Sequence, residues 1–227
     1  MKNILVLLVA LCVSVACFSQ TAKEVSDPEA KAILEKMRIK HETYKSVAAE
    51  FTLTIEIPEE DKEVQKGSIS QVGEKYRLDL EHQAIYSDGK SLWLFMKNNN
   101  EVQINDVDEF EEEDGELLSP QDLLRIYEKE DFIYHLINED MENGRAIQQI
   151  EFKPTDRDSE YSKMRVTIDR KKLEIVRIKA FSKDGSRYTM EVNKFMPNQP
   201  YKDADFIFDP SQYPDVFVED LRIEDRD

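Results

Sequence analysis

The stretch FTLTIEI at residues 51–57 alternates between apolar and polar side chains without a break. Because successive side chains of a β-strand point to opposite faces, this pattern predicts a strand with one buried face. The period changes immediately upstream, where Asp27 is a candidate N-cap and Pro28 a first helical residue. There the pattern predicts an amphipathic helix of about five turns, with an apolar face made of Ala30, Ile33, Leu34, Met37, His41 and Tyr44.

Further strand-like runs follow downstream at short spacing: Gly67–Gln71, Lys75–Leu80, Gln83–Ser87, Ser91–Met96, Glu101–Asn105, Phe132–Ile137, Ala146–Phe152, Lys163–Asp169, Leu173–Phe181 and Arg187–Phe195. Asp-Gly or Asn-Gly pairs separate several of them, and such dipeptides are strong signals for tight hairpins. We therefore expect a mainly β (α+β) fold, with about ten or eleven antiparallel strands in one large curved sheet or open barrel behind the helix. Strands and helices do not alternate along the chain, which argues against a doubly wound α/β fold.

The chain is strongly acidic, with 48 Asp and Glu residues against 31 Lys and Arg and a formal net charge of -17. Such a charge is repelled by phosphate backbones and anionic headgroups, which argues against nucleic acid and membrane surfaces as partners. The two cysteines, Cys12 and Cys17, both lie near the N-terminus, so no disulfide framework is expected in the rest of the chain.

The first residues carry the features of a secretory signal peptide. Lys2 supplies a positive charge, Ile4–Ala16 is apolar, and Ser19 ends the run with a small residue. The apolar run is shorter than the roughly 20 residues of a membrane-spanning helix. We expect residues 1–19 to be removed on export, leaving one domain at residues 20–227. An alternative is lipidation at Cys17, although Ser14 stands where such signals usually carry Leu or Val.

One insertion interrupts the series of strands. Asp106–Glu116 holds eight carboxylates in eleven residues, and Ser119-Pro120 after it opens a short helix with Leu123, Leu124, Ile126 and Tyr127. We interpret the acidic stretch as a solvated loop, with loose calcium binding or charge-guided docking as the alternative.

No motif of a familiar enzyme is present. The three histidines are isolated, and the patterns H-E-x-x-H, G-x-S-x-G and C-x-x-C do not occur. Gly89-Lys90-Ser91 resembles the end of a phosphate-binding loop, but Ala84 stands where the first glycine would be required. We read Asp88-Gly89 as a hairpin turn. We therefore expect no enzyme activity, no metal and no cofactor.

Apolar side chains are more abundant than a simple core requires. Ser91–Met96 is apolar on both faces of its strand and must be covered on both sides. The alternating strands place on one face Phe51, Leu53, Ile55, Tyr76, Leu78, Leu80, Met164, Val166, Ile168, Tyr188, Met190 and Val192. These side chains either fill the interior or line an apolar cavity under a helical lid.

Several short motifs occur in order along the chain: DPEA at residues 27–30, SVAAEF at 46–51, GSI at 67–69, YRL at 76–78, YSDGKSLW at 86–93, LSP at 118–120, FKP at 152–154 and FIF at 206–208. This series resembles the outer-membrane lipoprotein carrier protein family, LolA, and YSDGKSLW is its most specific part. The resemblance implies an unclosed antiparallel barrel with a short lid helix over an apolar cavity. It also implies a periplasmic, monomeric carrier without a cofactor. Such a carrier binds acylated lipoproteins, receives them from an inner-membrane ABC transporter and delivers them to an outer-membrane receptor.

By this resemblance and the strand pattern, the expected acyl-binding residues are Phe51, Leu53, Ile55, Tyr76, Leu78, Leu80, Trp93, Leu123, Leu124, Tyr127, Val166, Ile168 and Met190. One departure concerns the arginine that latches the lid in familiar family members, which lies in a Lys-Arg-Pro turn. The corresponding turn here reads Gln71-Val72-Gly73-Glu74, and Arg77 in the next strand is the candidate replacement. Two other readings remain open: a protein of the same fold that binds another lipid or glycolipid, and an exported structural or enzymatic protein with a filled core.

Overall fold

The computed structural model describes residues 25–107 and 124–222. The expected signal peptide, residues 108–116 of the acidic stretch, Ser119-Pro120 and Leu123 lie outside these ranges. Helix α1 spans Pro28–Glu42, and the Asp27 side chain accepts a hydrogen bond of 2.8 Å from the Glu29 N–H, as an N-cap should. Its buried residues are Ala30, Ile33, Leu34, Met37 and His41. The amphipathic helix read from the sequence is therefore confirmed, except that Tyr44 lies beyond its end.

Twelve strands form one sheet: β1 (Val47–Glu56), β2 (Glu63–Val72), β3 (Lys75–Asp79), β4 (Gln83–Ser87), β5 (Ser91–Met96), β6 (Glu101–Asp106), β7 (Phe132–Glu142), β8 (Arg145–Pro154), β9 (Tyr161–Asp169), β10 (Glu174–Ser182), β11 (Arg187–Pro197) and β12 (Phe217–Asp220). Short 3₁₀ helices occupy Ile126–Glu128, Asp203–Phe206 and Pro210–Gln212. The sheet order is β12-β6-β5-β4-β3-β2-β1-β11-β10-β9-β8-β7. Strands β12 and β7 end the sheet without pairing with each other, so the expected unclosed, mainly β architecture is confirmed.

The sequence reading missed β12, which pairs with β6 in parallel while every other neighbouring pair is antiparallel. Strand β12 has only four residues, two of them acidic, so it carries little of the alternation that marked the other strands. Strand β1 ends at Glu56, and Ile57, which was expected to continue it, is exposed in a turn where its carbonyl accepts from the Glu60 N–H.

Gly89-Lys90-Ser91 belongs to the hairpin turn between β4 and β5, as we expected. Gly89 has φ +87°, a conformation that glycine adopts without steric cost. The Asp88 carboxylate accepts hydrogen bonds from the N–H groups of Lys90 at 2.9 Å and Ser91 at 2.8 Å. These contacts close a hairpin, as expected from the Asp-Gly pair, and they leave those two N–H groups committed to the turn.

The two faces of the sheet are covered by different elements. We call the side on which α1 packs the inner face and the opposite side the outer face. On the inner face, α1, Ile126 and Tyr127 pack against β7, β8 and β9 through Tyr134, Ile150, Phe152, Val166 and Ile168. A smaller inner cluster contains Tyr76, Ile85 and Leu92. On the outer face, Ala84, Tyr86, Phe95 and Val102 pack under Phe208 from the C-terminal region.

The strand Ser91–Met96 is covered on both sides, as its composition required. Leu92 is buried in the inner cluster, while Phe95 is buried in the outer one. The Phe95 ring lies 5.0 Å from the ring of Phe208 and 4.5 Å from that of Tyr213, between centroids. The cover on the outer side is thus the C-terminal segment of the chain itself, and this strand needs no ligand on that side.

Candidate ligand-binding face

The inner face divides into two halves that differ in packing. The half on β7, β8 and β9, called here the filled half, lies under α1. Its central side chains, Ile150, Phe152 and Ile168, are each 0% exposed. They contact Ala30, Leu34 and Met37 of the helix within one cluster, and the Phe152 ring also meets the rings of Tyr134 and Phe132. This half is a conventional hydrophobic core.

The other half, called here the open half, continues the same face across β10, β11 and β1. Cross-strand partners place Ile178 beside Met190 and Met190 beside Leu53. The next row places Ala180 beside Tyr188 and Tyr188 beside Ile55. All six side chains are only half-buried, so part of their apolar surface remains accessible. Leu78 and Leu80 on the β3 side are half-buried as well.

A cavity of about 490 Å³ lies at one end of this face. Its apolar lining comes from Phe132, Pro154, Met164 and Ala180, and polar groups surround them at Lys129, Asp131, Asp156, Asp158, Ser159, Glu160, Tyr161 and Lys163. Since Ala180 also stands beside Tyr188 and, across it, Ile55, the cavity borders the open half at Ala180. A volume of this size falls within the roughly 300–1,000 Å³ typical of small-molecule sites.

Phe51 and Gly67 mark the border of the open half on β1 and β2. Phe51 is 3% exposed, although Leu53, two residues further on the same face, is half-buried. A Cβ added to Gly67 would lie 2.4 Å from Phe51 Cζ and 2.9 Å from a Leu80 methyl group. The glycine therefore provides the space that the Phe51 ring occupies.

Polar contacts connect residues 124–128 to the C-terminal half of α1. Arg38 Nε donates to the Tyr127 hydroxyl at 2.8 Å, and the same guanidinium bridges Glu42 at 2.7 Å and Glu128 at 3.3 Å. Arg125 reaches Glu42 at 3.1 Å. The hydrogen bond from Arg38 lowers the pKa of Glu42, whereas burial raises the pKa of Tyr127. This network keeps Leu124 and Tyr127 against the filled half, where both pack on the core cluster.

His41 is the unusual polar residue of this region. It is 8% exposed, and its Nε2 atom has no hydrogen-bond partner within the part of the chain that the structure describes. Its ring packs against those of Tyr44 and Phe195, with centroids 5.7 and 5.5 Å away. Burial, with a smaller contribution from the charge of Lys40, lowers the pKa of His41 to about 4. The side chain is therefore neutral at physiological pH and serves as part of the packing.

The structure places most of the expected acyl-binding residues on the inner face. Phe51, Tyr76, Tyr127, Val166 and Ile168 are buried there, and half-buried positions are held by Leu53, Ile55, Leu78, Leu80, Leu124 and Met190. Leu123 lies outside the described residues.

Trp93 was placed wrongly, because it belongs to the outer cluster with Phe95 and Phe208. It is the cross-strand partner of Tyr86 and Ile104, whereas Leu92 and Leu94 take the inner positions of that strand. The sequence could not decide between these faces because the whole strand is apolar.

The sequence reading also missed Phe132, Pro154 and Ala180 as cavity residues. Alternation along β10 was the available signal for Ala180, but a small side chain contributes little to a hydrophobic pattern. Arg77, the candidate replacement for the latch, lies on the outer face beside Tyr86, with its guanidinium 4.7 Å from that ring and 2.6 Å from Asp79. It is thus on the wrong side of the sheet to hold an inner-face helix.

Two further observations concern all of the residues that the structure describes. Among residues 25–107 and 124–222, no group of three or more His, Cys, Asp or Glu side chains is arranged to hold a metal ion. Within the same residues, no helix has the length and apolarity needed to cross a membrane.

Residues 74–202 match the model of a protein family described as "Uncharacterized protein". A comparison with curated proteins finds no match. Among solved structures, the chain is similar to a LolA superfamily protein from Nitrosomonas europaea at 14% identity, covering 79% of this chain and 97% of that one with a TM-score of 0.42. It is also similar to the lipoprotein LppX of Mycobacterium tuberculosis at 11% identity, covering 76% of this chain and 98% of that one with a TM-score of 0.41.

Proposed function

The chain belongs to the family whose model covers residues 74–202, and we propose that it is a periplasmic carrier for the acyl chains of lipoproteins. In this proposal the acyl chains bind the open half of the inner face and the adjoining cavity. The observation that carries it is the pair of adjacent rows of half-buried apolar side chains in the open half, of which the row Ile55, Tyr188 and Ala180 reaches the cavity of about 490 Å³. The sequence resemblance to the lipoprotein carrier family supports the choice of ligand.

The energetics of this face suit an acyl chain. Each methylene group removed from water contributes about 0.8 kcal/mol. A chain lying along the half-buried residues would gain this contribution on one side from the sheet, without needing a hydrogen-bonding partner there. The polar groups around the cavity leave room for the hydrophilic part of a cargo to remain in solvent. A carrier of this kind needs no catalytic group, and we propose that the protein is not an enzyme.

Release requires that the loaded and empty states have similar free energies. We propose that the helix expected at Leu123–Leu124 acts as a lid, covers apolar surface in the empty state and is displaced by the ligand. The contacts of Arg38 and Glu42 with Arg125, Tyr127 and Glu128 support this role because they join the lid region to α1 through one hydrogen bond and two ion pairs near the surface, which are individually weak. Removal of residues 1–19 on export, transfer from an inner-membrane ABC transporter and delivery to an outer-membrane receptor complete the proposal.

The test is titration of an environment-sensitive fluorescent fatty acid into the protein and into two matched variants. Met190→Glu places a carboxylate on the inner face, whereas Thr189→Glu places the same group one residue away on the outer face. We expect Met190→Glu to weaken binding at least about tenfold, because the carboxylate must be desolvated by the ligand. Thr189→Glu should bind as the wild type does, and thermal melts verify that both variants fold.

Leu124→Glu tests the lid with the same probe. We expect it to lower both the melting temperature and the probe affinity, because Leu124 packs on the core cluster in the described conformation. An unchanged melt together with unchanged binding would show that Leu124 is not part of a lid.

Native mass spectrometry of the protein from its own periplasm then identifies the cargo. An acylated polypeptide supports the lipoprotein carrier, whereas a free lipid or glycolipid would replace it with a lipid-binding protein of the same fold.

A further inference from the structure

The outer face carries a group of cations around one aromatic ring. Three positive groups lie near the centroid of the Phe181 ring, with Lys163 Nζ at 5.2 Å, Arg165 Cζ at 5.2 Å and Lys179 Nζ at 5.4 Å. Arg187 is the cross-strand partner of Phe181 on β11. We call these five residues the cation–aromatic patch. They occupy adjacent outer-face positions of β9, β10 and β11, and Phe181 itself is only half-buried.

The positive charge of the patch is only partly neutralised. Glu151 accepts from Arg165 at 2.7 Å and pairs with Lys163 at 3.1 Å, and Glu56 stands across from Arg187 on β1. Within residues 25–107 and 124–222, neither Lys179 nor Arg187 forms an ion pair. Among their ion-pair and cross-strand partners, four cations therefore meet two carboxylates, on a chain whose formal net charge is -17, while Asp156, Asp158 and Glu160 share the cavity rim with Lys163. The overall composition of the chain is acidic, so it does not account for a surface region with an excess of positive charge.

The patch is the outside of the wall whose inside lines the cavity. On β9, Met164 lines the cavity from the inner face, and the residue before it, Lys163, belongs both to the patch and to the polar rim of the cavity. On β10, Phe181 belongs to the patch while Ala180 lines the cavity. Because neighbouring residues of a strand point to opposite faces, anything bound to the patch lies one sheet thickness from the cavity.

We propose that the cation–aromatic patch docks the protein on the anionic phospholipid headgroups of a bilayer. Lysine and arginine side chains pair with phosphate groups, and a phenylalanine ring inserts at the boundary between headgroups and acyl chains. Docking there would hold the cavity close to the membrane surface at the end where Lys163 belongs both to the patch and to the rim of the cavity. The role given to docking rests on the proposed function, but the test of docking measures vesicle binding and not acyl binding.

The acidity of the whole chain argues against membrane binding only at long range. At physiological ionic strength the Debye length is about 8 Å, so charges on the far side of the protein are screened from a surface that touches the patch. The remaining negative charge limits how long the protein stays bound. Brief, salt-sensitive contact is what a carrier requires of a docking surface.

The experiment is flotation of the full chain with vesicles of phosphatidylcholine alone and with vesicles that also contain phosphatidylglycerol. The patch variant is Lys179→Glu with Arg187→Glu, since neither residue lines the cavity. The control is Lys31→Glu with Lys36→Glu on the exposed side of α1, which changes the net charge by the same amount. We expect the wild type and the control to bind the anionic vesicles in preference, and the patch variant to bind at least about tenfold more weakly.

Phe181→Ser keeps every charge and should reduce vesicle binding severalfold. If the reversed charges prevent folding of the patch variant, Lys179→Gln with Arg187→Gln takes its place. Equal binding of wild type and patch variant, or no preference for anionic vesicles, would overturn the proposal and leave the cations as a cover for the Phe181 ring. Binding to a polyglutamate peptide but not to vesicles would also overturn it, in favour of an acidic protein partner. If the wild type binds anionic vesicles but does not bind the fluorescent fatty acid, the result refutes the carrier function alone.

Discussion

The filled and open halves of the inner face are built from the same pattern but are used differently. Both alternate apolar and polar residues along their strands, and Val166 of the filled half and Met190 of the open half both stand beside Ile178 in the register. Under α1 the apolar side chains are sealed, with Ile150 and Phe152 at 0% exposure. Beyond the helix, Leu53 and Met190 keep accessible surface. Alternation therefore determines which face is apolar, and what lies on that face determines whether it becomes a core or a binding surface.

The largest effect is expected in the filled half. Phe152→Ala removes a ring that is 0% exposed and meets the rings of Tyr134 and Phe132. We expect the free energy of unfolding to fall by about 3–5 kcal/mol, because the large cavity left behind cannot collapse fully. Urea titration followed by circular dichroism measures the change. A cost below about 1 kcal/mol would mean that the helix does not seal this half, and the comparison would fail.

The second effect concerns acid stability, through His41 at the end of α1. Its pKa is about 4 in the folded protein and near 6.5 when unfolded, so below pH 6.5 the unfolded chain binds the proton first. Stability is therefore complete above pH 6.5 and is lost as the pH falls towards 4, by about 3 kcal/mol. Urea titrations at a series of pH values should show a smaller loss in His41→Gln than in the wild type, because carboxylates with a lowered pKa, such as Glu42 and Glu151, weaken both proteins alike. An equal slope in both proteins would assign the loss to the carboxylates.

The border between the halves is tested at Gly67. Gly67→Ala places a Cβ 2.4 Å from Phe51 Cζ and should destabilise the protein by about 1–3 kcal/mol, since the ring must move. Ser68→Ala, one residue further and on the outer face, serves as the control and should cost little. Adding Phe51→Leu to Gly67→Ala should recover part of the loss. A harmless Gly67→Ala would show that Phe51 has free space, and that the open half extends further than described.

Sequence patterns were sufficient for α1 and for β1 to β11 because each of these elements has a local signal. The helix has Asp27 and Pro28 at its start, and the hairpins have glycine in positive-φ turns such as Gly89. The division of the inner face has no such signal. Whether Val166 is sealed while Met190 stays accessible depends on where α1 crosses the sheet, and this is a property of packing between distant parts of the chain.

Trp93 shows the same limit at a single residue. Its strand is apolar on both faces, so its direction followed only from the register with β4 and from the C-terminal residues Phe208 and Tyr213 that cover it. The cation–aromatic patch could not be predicted from the sequence either. Its residues are scattered over three strands, and nothing in the sequence indicates that these cations surround the same ring.

The smallest effect on stability, and the sharpest test of the comparison, is expected for Leu53→Ala. Leu53 belongs to the same face as Phe152, but it is half-buried, so truncating it removes less buried surface and leaves no closed cavity. We expect a loss of about 1 kcal/mol in the free energy of unfolding. Binding of the fluorescent fatty acid should weaken severalfold, because the removed methyl groups belong to the surface that the acyl chain covers. Phe152→Ala, measured under conditions where it remains folded, should do the reverse, with a large loss of stability and a smaller loss of affinity. If Leu53→Ala instead costs as much stability as Phe152→Ala and leaves fatty-acid binding unchanged, the open half is a second core and the two halves do not differ in use.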